Sequence, residues 1–182
     1  NIPHIQNIII DGLYFTRDAV KNNCQGLQIT SSGAALVKNI EVRNCIFSGI
    51  NWNTNPNLKP AASQNSQPLI VYGRSSVAIH NIYVHNCEFA NNITGQSEVC
   101  SMNANIDSFT ITNNSLHDNT NIAIDAIGHE GENSNVNIDQ ARNGVIANNI
   151  IFNNQSPYAE GAGVYVDGGK SITIEKNILY NG

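Results

Sequence analysis

Apolar residues recur along this chain in short runs, and one six-residue pattern returns several times. Val42 to Phe47 (VRNCIF) reappears as Val84 to Phe89 (VHNCEF), with apolar ends around a polar middle. Weaker copies run from Ile111 to Leu116, Ile146 to Ile151 and Ile174 to Leu179, and Ile10 to Phe15 precedes them all. The starts are separated by 32, 42, 27, 35 and 28 residues. A variable period above about 20 residues predicts a solenoid with insertions between its coils. Each coil also carries an earlier strand-like run: Leu27 to Thr30, Leu69 to Gly73, Cys100 to Asn103, Ile122 to Asp125 and Val164 to Asp167. Two or three short strands per coil are therefore predicted, with neighbouring coils about 4.8 Å apart.

The repeat also predicts which residues face inward. Phe15, Phe47, Phe89, Leu116, Ile151 and Leu179 form one apolar column, and Ile10, Val42, Val84, Ile111, Ile146 and Ile174 form another. Between them Leu13, Cys45, Cys87, Asn114, Asn149 and Asn177 change from apolar to asparagine. Stacked asparagine amides hydrogen-bond from coil to coil, which lets polar groups sit at a bend beside a core. This arrangement resembles the right-handed parallel β-helix of the pectate-lyase-like superfamily. The resemblance implies an all-β fold of about six coils, as a single domain over residues 1–182.

Long insertions fall at about Asn51 to Gln67, Gln155 to Gly161 and His129 to Ala141. They flank the early strands on both edges and predict a groove across that sheet, where loops tend to carry function. Alternation along the early strands places Thr30, Asn103, Asp125 and Asp167 in one outward row, with Gln28, Ser101, Ala123 and Tyr165 in another. Asp125 and Asp167, on adjacent coils, are then two carboxylates within about 5 to 7 Å. Such a pair suits Ca²⁺ ligation, or a general acid beside an ionised partner. The alternative is that both are turn formers at strand ends.

Gly128-His129-Glu130-Gly131 lies at the groove edge, where His129 is a candidate acid or base and Glu130 a third carboxylate; a solvated turn is the plainer account. Arg142 is a candidate clamp for a substrate carboxylate, against a surface salt link to Asp139 or Glu175. Tyr165, Trp52 and Tyr158 are candidate sugar-stacking rings. His4, His80, His85 and His117 read as surface residues. Cys45 and Cys87 read as buried thiols, with a disulfide as the alternative. Asn92, Asn113 and Asn154 satisfy the glycosylation pattern.

Composition narrows the classes. Charged residues make up 13% of the chain and Gly numbers 14, which suits many short strands and tight turns but not long amphipathic helices. The net charge of -5 offers no basic stripe for nucleic acid. No apolar run is long enough to span a bilayer, and no signal segment opens the chain. Strand-like patterns already begin at the first residues and continue almost to Gly182, so the remainder of a longer chain is expected at both ends.

From Asn121 to Gly182 the likeness becomes more specific. Asn121 to Gly131, Asp139 to Val145 and Gly163 to Gly169 resemble a run in bacterial right-handed parallel β-helix repeat proteins, many of them secreted. The resemblance implies that Asp125, Glu130, Arg142 and Asp167 belong to one site, with a polysaccharide or glycan partner outside the cell. The adjacent aspartates of polygalacturonases and the Asp-rich Ca²⁺ motif of pectate lyases are missing. Two readings follow: a polysaccharide lyase, glycoside hydrolase or binder whose groove includes Asn103, or a non-enzymatic stalk, scaffold or adhesin.

Overall fold

The computed structural model describes residues 4–156, 158 and 161–182. Among these the chain forms seventeen strands and no helix. In order they are β1 (His4–Asp11), β2 (Tyr14–Thr16), β3 (Cys24–Thr30), β4 (Leu36–Arg43), β5 (Ile46–Ser48), β6 (Ser66–Gly73), β7 (Ile79–His85), β8 (Glu88–Ala90) and β9 (Cys100–Ala104). There follow β10 (Ile106–Thr112), β11 (Ser115–His117), β12 (Ile124–Ile127), β13 (Ala141–Ala147), β14 (Ile150–Phe152), β15 (Val164–Tyr165), β16 (Lys170–Glu175) and β17 (Ile178–Tyr180). Every third strand pairs in parallel with its counterpart one repeat later. The first sheet stacks β1, β4, β7, β10, β13 and β16, the second β2, β5, β8, β11, β14 and β17, and the third β3, β6, β9, β12 and β15. Among the described residues no helix is long and apolar enough to cross a membrane.

Both inward columns form in the expected register. Phe15, Phe47, Phe89, Leu116, Ile151 and Leu179 stack in the second sheet, and Ile10, Val42, Val84, Ile111, Ile146 and Ile174 in the first. The rings of Phe15, Phe47 and Phe89 lie face to face at 4.5 and 4.6 Å, a separation imposed by the strand spacing. Burial of these columns is the main stabilising term, because the interior coils remove them almost wholly from water.

The asparagine column is a hydrogen-bonded ladder. Asn114 Nδ2 donates to Asn149 Oδ1 at 3.0 Å, and Asn149 Nδ2 to Asn177 Oδ1 at 2.9 Å. The same three amides donate to Val84 O, Ile111 O and Ile146 O, which closes each bend onto the coil before it. The residues just before, Asn44, Asn86, Asn113, Asn148 and Lys176, turn with φ between 52 and 56°, a conformation asparagine tolerates better than most residues. Seven of the chain's asparagines fall at these two adjacent positions.

Where the column changes to cysteine, the thiol replaces the amide. Cys87 Sγ lies 3.7 Å from Val42 O, and Cys45 Sγ 3.7 Å from Ile10 O. All four cysteines are free and buried, and burial pushes the Cys87 thiol up to about 12, which keeps it a donor. A thiol still offers no carbonyl to the coil below. Cys87→Asn should therefore extend the ladder by giving Cys45 N–H an acceptor, as Asn114 Oδ1 now serves Cys87 N–H. We expect urea unfolding to show a gain of about 1 kcal/mol; a loss would show that the column is too tight for an amide.

A second ladder was not anticipated. Asn92 Nδ2 donates to Asn119 Oδ1 at 2.8 Å, and Asn119 Nδ2 to Asn154 Oδ1 at 2.9 Å. Asn92 is fully buried and Asn154 is 6% exposed, so neither can accept a glycan, and that expectation fails for both. Asn113 is exposed but sits at a positive-φ bend. Two of the histidines expected to lie free on the surface are paired: His85 with Glu41 at 2.8 Å, and His117 with both Glu88 and Asp118.

Candidate functional site

The outward face of the third sheet carries the site. Leu69, Val71, Cys100, Met102, Ile124 and Ala126 point into the core, so the residues alternating with them face out. Ile70, Ser101, Asp125 and Tyr165 are in register in one outward row, and Thr30, Tyr72, Asn103 and Ile127 in the next. Asp125 thus lies opposite Ser101 and Tyr165, not opposite Asn103 and Asp167 as expected. The facing is as the alternation predicts, but the register differs by two residues. A two-residue slip preserves every inward and outward assignment, so alternation alone does not fix it.

Loops pin down both edges of this face. The insertion after β12 folds around Asp139, a buried residue whose carboxylate accepts the main-chain N–H groups of Gly131 and Asn133. Asn133 Nδ2 in turn donates to Gly73 O and Ser75 O at the end of β6. This lays Glu130 and Glu132 along one rim. Gly128 is required because a Cβ there would stand 2.6 Å from Gly168 O, and Gly131 because its φ is +85°. The glycines flanking His129 and Glu130 are therefore explained by backbone packing, and His129 is an exposed turn residue with φ of 65°.

On the other rim the insertion after β5 is tied to residues 93–97. Asn51 Oδ1 accepts Ile93 N–H, Ser97 Oγ donates to Asn65 Oδ1, and Gln96 Nε2 donates to Pro60 O. Trp52 is buried beneath this loop with 5% exposure, its ring edge against Gly95. It is a packing residue and not the sugar platform expected, because the indole is the largest apolar surface in a polar loop. Tyr158 is half-buried and its hydroxyl donates to Gly95 O at 3.4 Å. Pro157, Ala159 and Glu160 of the second insertion lie outside the described residues. Tyr165 is the one expected ring found exposed, at 45%.

Between the rims runs a polar groove of about 420 Å³ with Tyr72, Gln67, Glu98 and Asn103 along its floor and Glu130 and Glu132 on its wall. Gln67 Nε2 donates to Tyr72 Oη at 3.1 Å, which bridges the fully buried outward Ile70. Asn103 Nδ2 donates to Glu130 Oε2 at 2.9 Å. Arg74 pairs with Glu132 at 2.7 Å and lies 4.0 Å over the Tyr72 ring. Asn103 and Glu130 therefore share the groove as the sequence suggested.

Two carboxyls here are held far from their ordinary protonation range. Asp125 is 2% exposed, and burial first, then the charge of Glu98, push its carboxyl up to about 8. The main-chain N–H of Asp167 opposes that shift. Its Oδ1 has no hydrogen-bond partner, and nor does the neighbouring Ser101 Oγ. Glu98 is pushed up to about 7, by burial first and then by the charges of Glu130 and Asp167. Glu98 lines the groove, and Asp125 lies buried beside it. Asp125 is in register with Tyr165 and not with the exposed Asp167, yet the Asp167 charge still raises the Asp125 carboxyl, after burial and the charge of Glu98.

Sequence reasoning missed Glu98 by starting its strand at Cys100. The available signal was a column preceding the early strands: Cys24-Gln25, Ser66-Gln67 and Ser97-Glu98. Arg142 does not reach the groove. It follows the insertion into β13 of the first sheet, where Nε pairs with Asp107 at 3.3 Å and Nη1 donates to Asn105 Oδ1 at 2.9 Å. Its ion-pair partner is Asp107, not Asp139 or Glu175. Among the described residues, no three His, Cys, Asp or Glu side chains gather as a metal site.

The Bacillus subtilis (strain 168) uncharacterized protein YwoF is 38% identical over 95 residues, covering 48% of this chain and 20% of YwoF. The chain thus matches about a fifth of that protein's length. No family model matches the chain, and no solved structure does so significantly.

Proposed function

We propose that this chain is a glycan-binding and glycan-cleaving module of an extracellular protein, with its site in the groove over the third sheet. The observation that carries the reading is Glu98, a groove-lining carboxyl whose proton affinity is poised at about 7. A group tuned to that range serves best as a proton donor to a leaving oxygen. Glu130, positioned by Asn103, supplies the second carboxylate that glycoside hydrolysis needs to take a proton from water. Asp125 holds a proton behind Glu98 and keeps a second negative charge away from it. Tyr165 extends the same face as a stacking ring. Arg142, engaged on another sheet, gives no support to a lyase that must clamp a uronate.

The stacked columns support the finer fold reading, six coils of a right-handed parallel β-helix of the pectate-lyase-like type, since crossovers between parallel strands are right-handed in nearly all cases.

The test is a glycan-degradation screen that reads new reducing ends together with the ultraviolet absorbance of unsaturated uronates, with and without Ca²⁺. We expect reducing ends without that absorbance, and a fall of about 10² to 10⁴-fold in Glu98→Gln. Unsaturated products, or full activity in Glu98→Gln, would contradict the assignment.

A further inference from the structure

We propose that the groove selects glycans bearing free, protonated amino groups, that is, amino sugars without an N-acetyl cap, and rejects polyuronates. This rests on the reading of the groove as a glycan site and names the class of glycan.

One buried acceptor among the groove-lining residues has no donor within the protein. Asn103 is 4% exposed, yet its Oδ1 has no hydrogen-bond partner. A buried amide oxygen left without a donor is uncommon and calls for an explanation. The amide cannot be reversed, because Nδ2 already donates to Glu130, and a flip would set Oδ1 against that carboxylate. Asn103 Oδ1 is itself closed to solvent, so a donor seated against Glu130 would reach it by a small rotation of the amide. The neighbouring amide donors are engaged within the protein, Gln67 Nε2 with Tyr72 Oη and Gln25 Nε2 with Gln67 Oε1. Sugar hydroxyls would meet this need in part.

Charge narrows the class further. Of the three glutamates lining the groove, Glu132 is neutralised by Arg74, which also stacks on Tyr72, and Glu98 keeps its proton in slightly acidic buffer, which leaves Glu130 as the negative charge. A uronate carboxylate brought beside Glu130 would meet like charge. An ammonium group would instead give charge-assisted hydrogen bonds to Glu130 and Asn103 together, stronger than those of a hydroxyl. An N-acetyl group removes that charge and two of its three donors.

The experiment is isothermal titration of the whole chain, in slightly acidic buffer at low salt, with matched oligomers of glucosamine, N-acetylglucosamine and galacturonate, and with spermine. The glucosamine oligomer should bind about tenfold or more tightly than its acetylated counterpart, with no detectable binding of galacturonate. Glu130→Gln, an exposed position where folding is not at stake, should erase most of that advantage. Asn103→Leu should weaken both amino and acetylated ligands, while Glu175→Gln, exposed on another sheet, should change nothing. Equal or tighter binding of acetylated or galacturonate oligomers, lost in Glu130→Gln, would overturn the selectivity and leave the glycan reading standing. Spermine binding as tightly as the amino oligomer, or no oligosaccharide binding by the folded chain, would overturn both.

Discussion

Asp125→Asn should make the protein more stable at pH 8 by a few kcal/mol while leaving it nearly unchanged at pH 4. In the folded state the Asp125 carboxyl is raised from 3.8 to about 8, chiefly by burial. The folded chain consequently holds a proton that the unfolded chain releases above about pH 4. Stability linked to this group is fully present below the unfolded value and declines as pH rises toward the folded one. Glu98 adds a decline in the same direction between 4.5 and about 7. Asparagine is neutral throughout, so the variant loses the Asp125 part of the slope and keeps the Glu98 part. Urea unfolding at intervals between pH 4 and 8 measures it directly. A wild-type stability that climbs over this range would mean that Asp125 is ionised and paired, and the picture of a buried proton would be wrong.

Asn119→Ala should destabilise the fold by about 3 to 5 kcal/mol, far beyond what an alanine costs at an exposed asparagine. Asn119 Oδ1 accepts both the main-chain N–H and the side-chain amide of Asn92. Its own amide donates to Phe89 O and Asn154 Oδ1. Removing it leaves Asn92 N–H and Phe89 O buried without partners, each at about 1 to 3 kcal/mol. Asn137, exposed and outside the positive-φ bends, is the control, with a change of under about 1 kcal/mol. Equal losses at the two positions would mean that the second ladder is decoration and that the apolar columns alone hold the bends.

The two apolar columns and the first asparagine ladder were legible because an inward position repeats its chemistry in coil after coil. Phe47 above Phe15 and Asn149 above Asn114 announce themselves by alignment. The second ladder was hidden because Asn92, Asn119 and Asn154 sit among other asparagines, several of which serve bends as positive-φ residues instead. The groove was foreseen from insertions on both edges of one sheet, and Asn103 and Glu130 were placed in it. Its central acid was not. Asp125 was found by alternation but assigned the wrong partner, since a slip of two residues leaves the facing pattern intact. Glu98 falls before the strand proper, where alternation has no hold. Trp52 and Arg142 were misjudged for a shared reason: one line of sequence shows that a side chain is large or charged, but not whether a neighbouring coil has already claimed it.

The claim at the centre is that the outer face of the third sheet is a built site with two carboxyls held near neutrality. Carboxyl-carbon NMR titration of the wild-type chain and of Glu98→Gln tests it most directly. The account predicts one glutamate titrating near 7 and one aspartate near 8, with the aspartate shifted down in Glu98→Gln as the neighbouring charge is removed. Every carboxyl titrating in the ordinary acidic range, with Asp125 unmoved by the loss of Glu98, would contradict it.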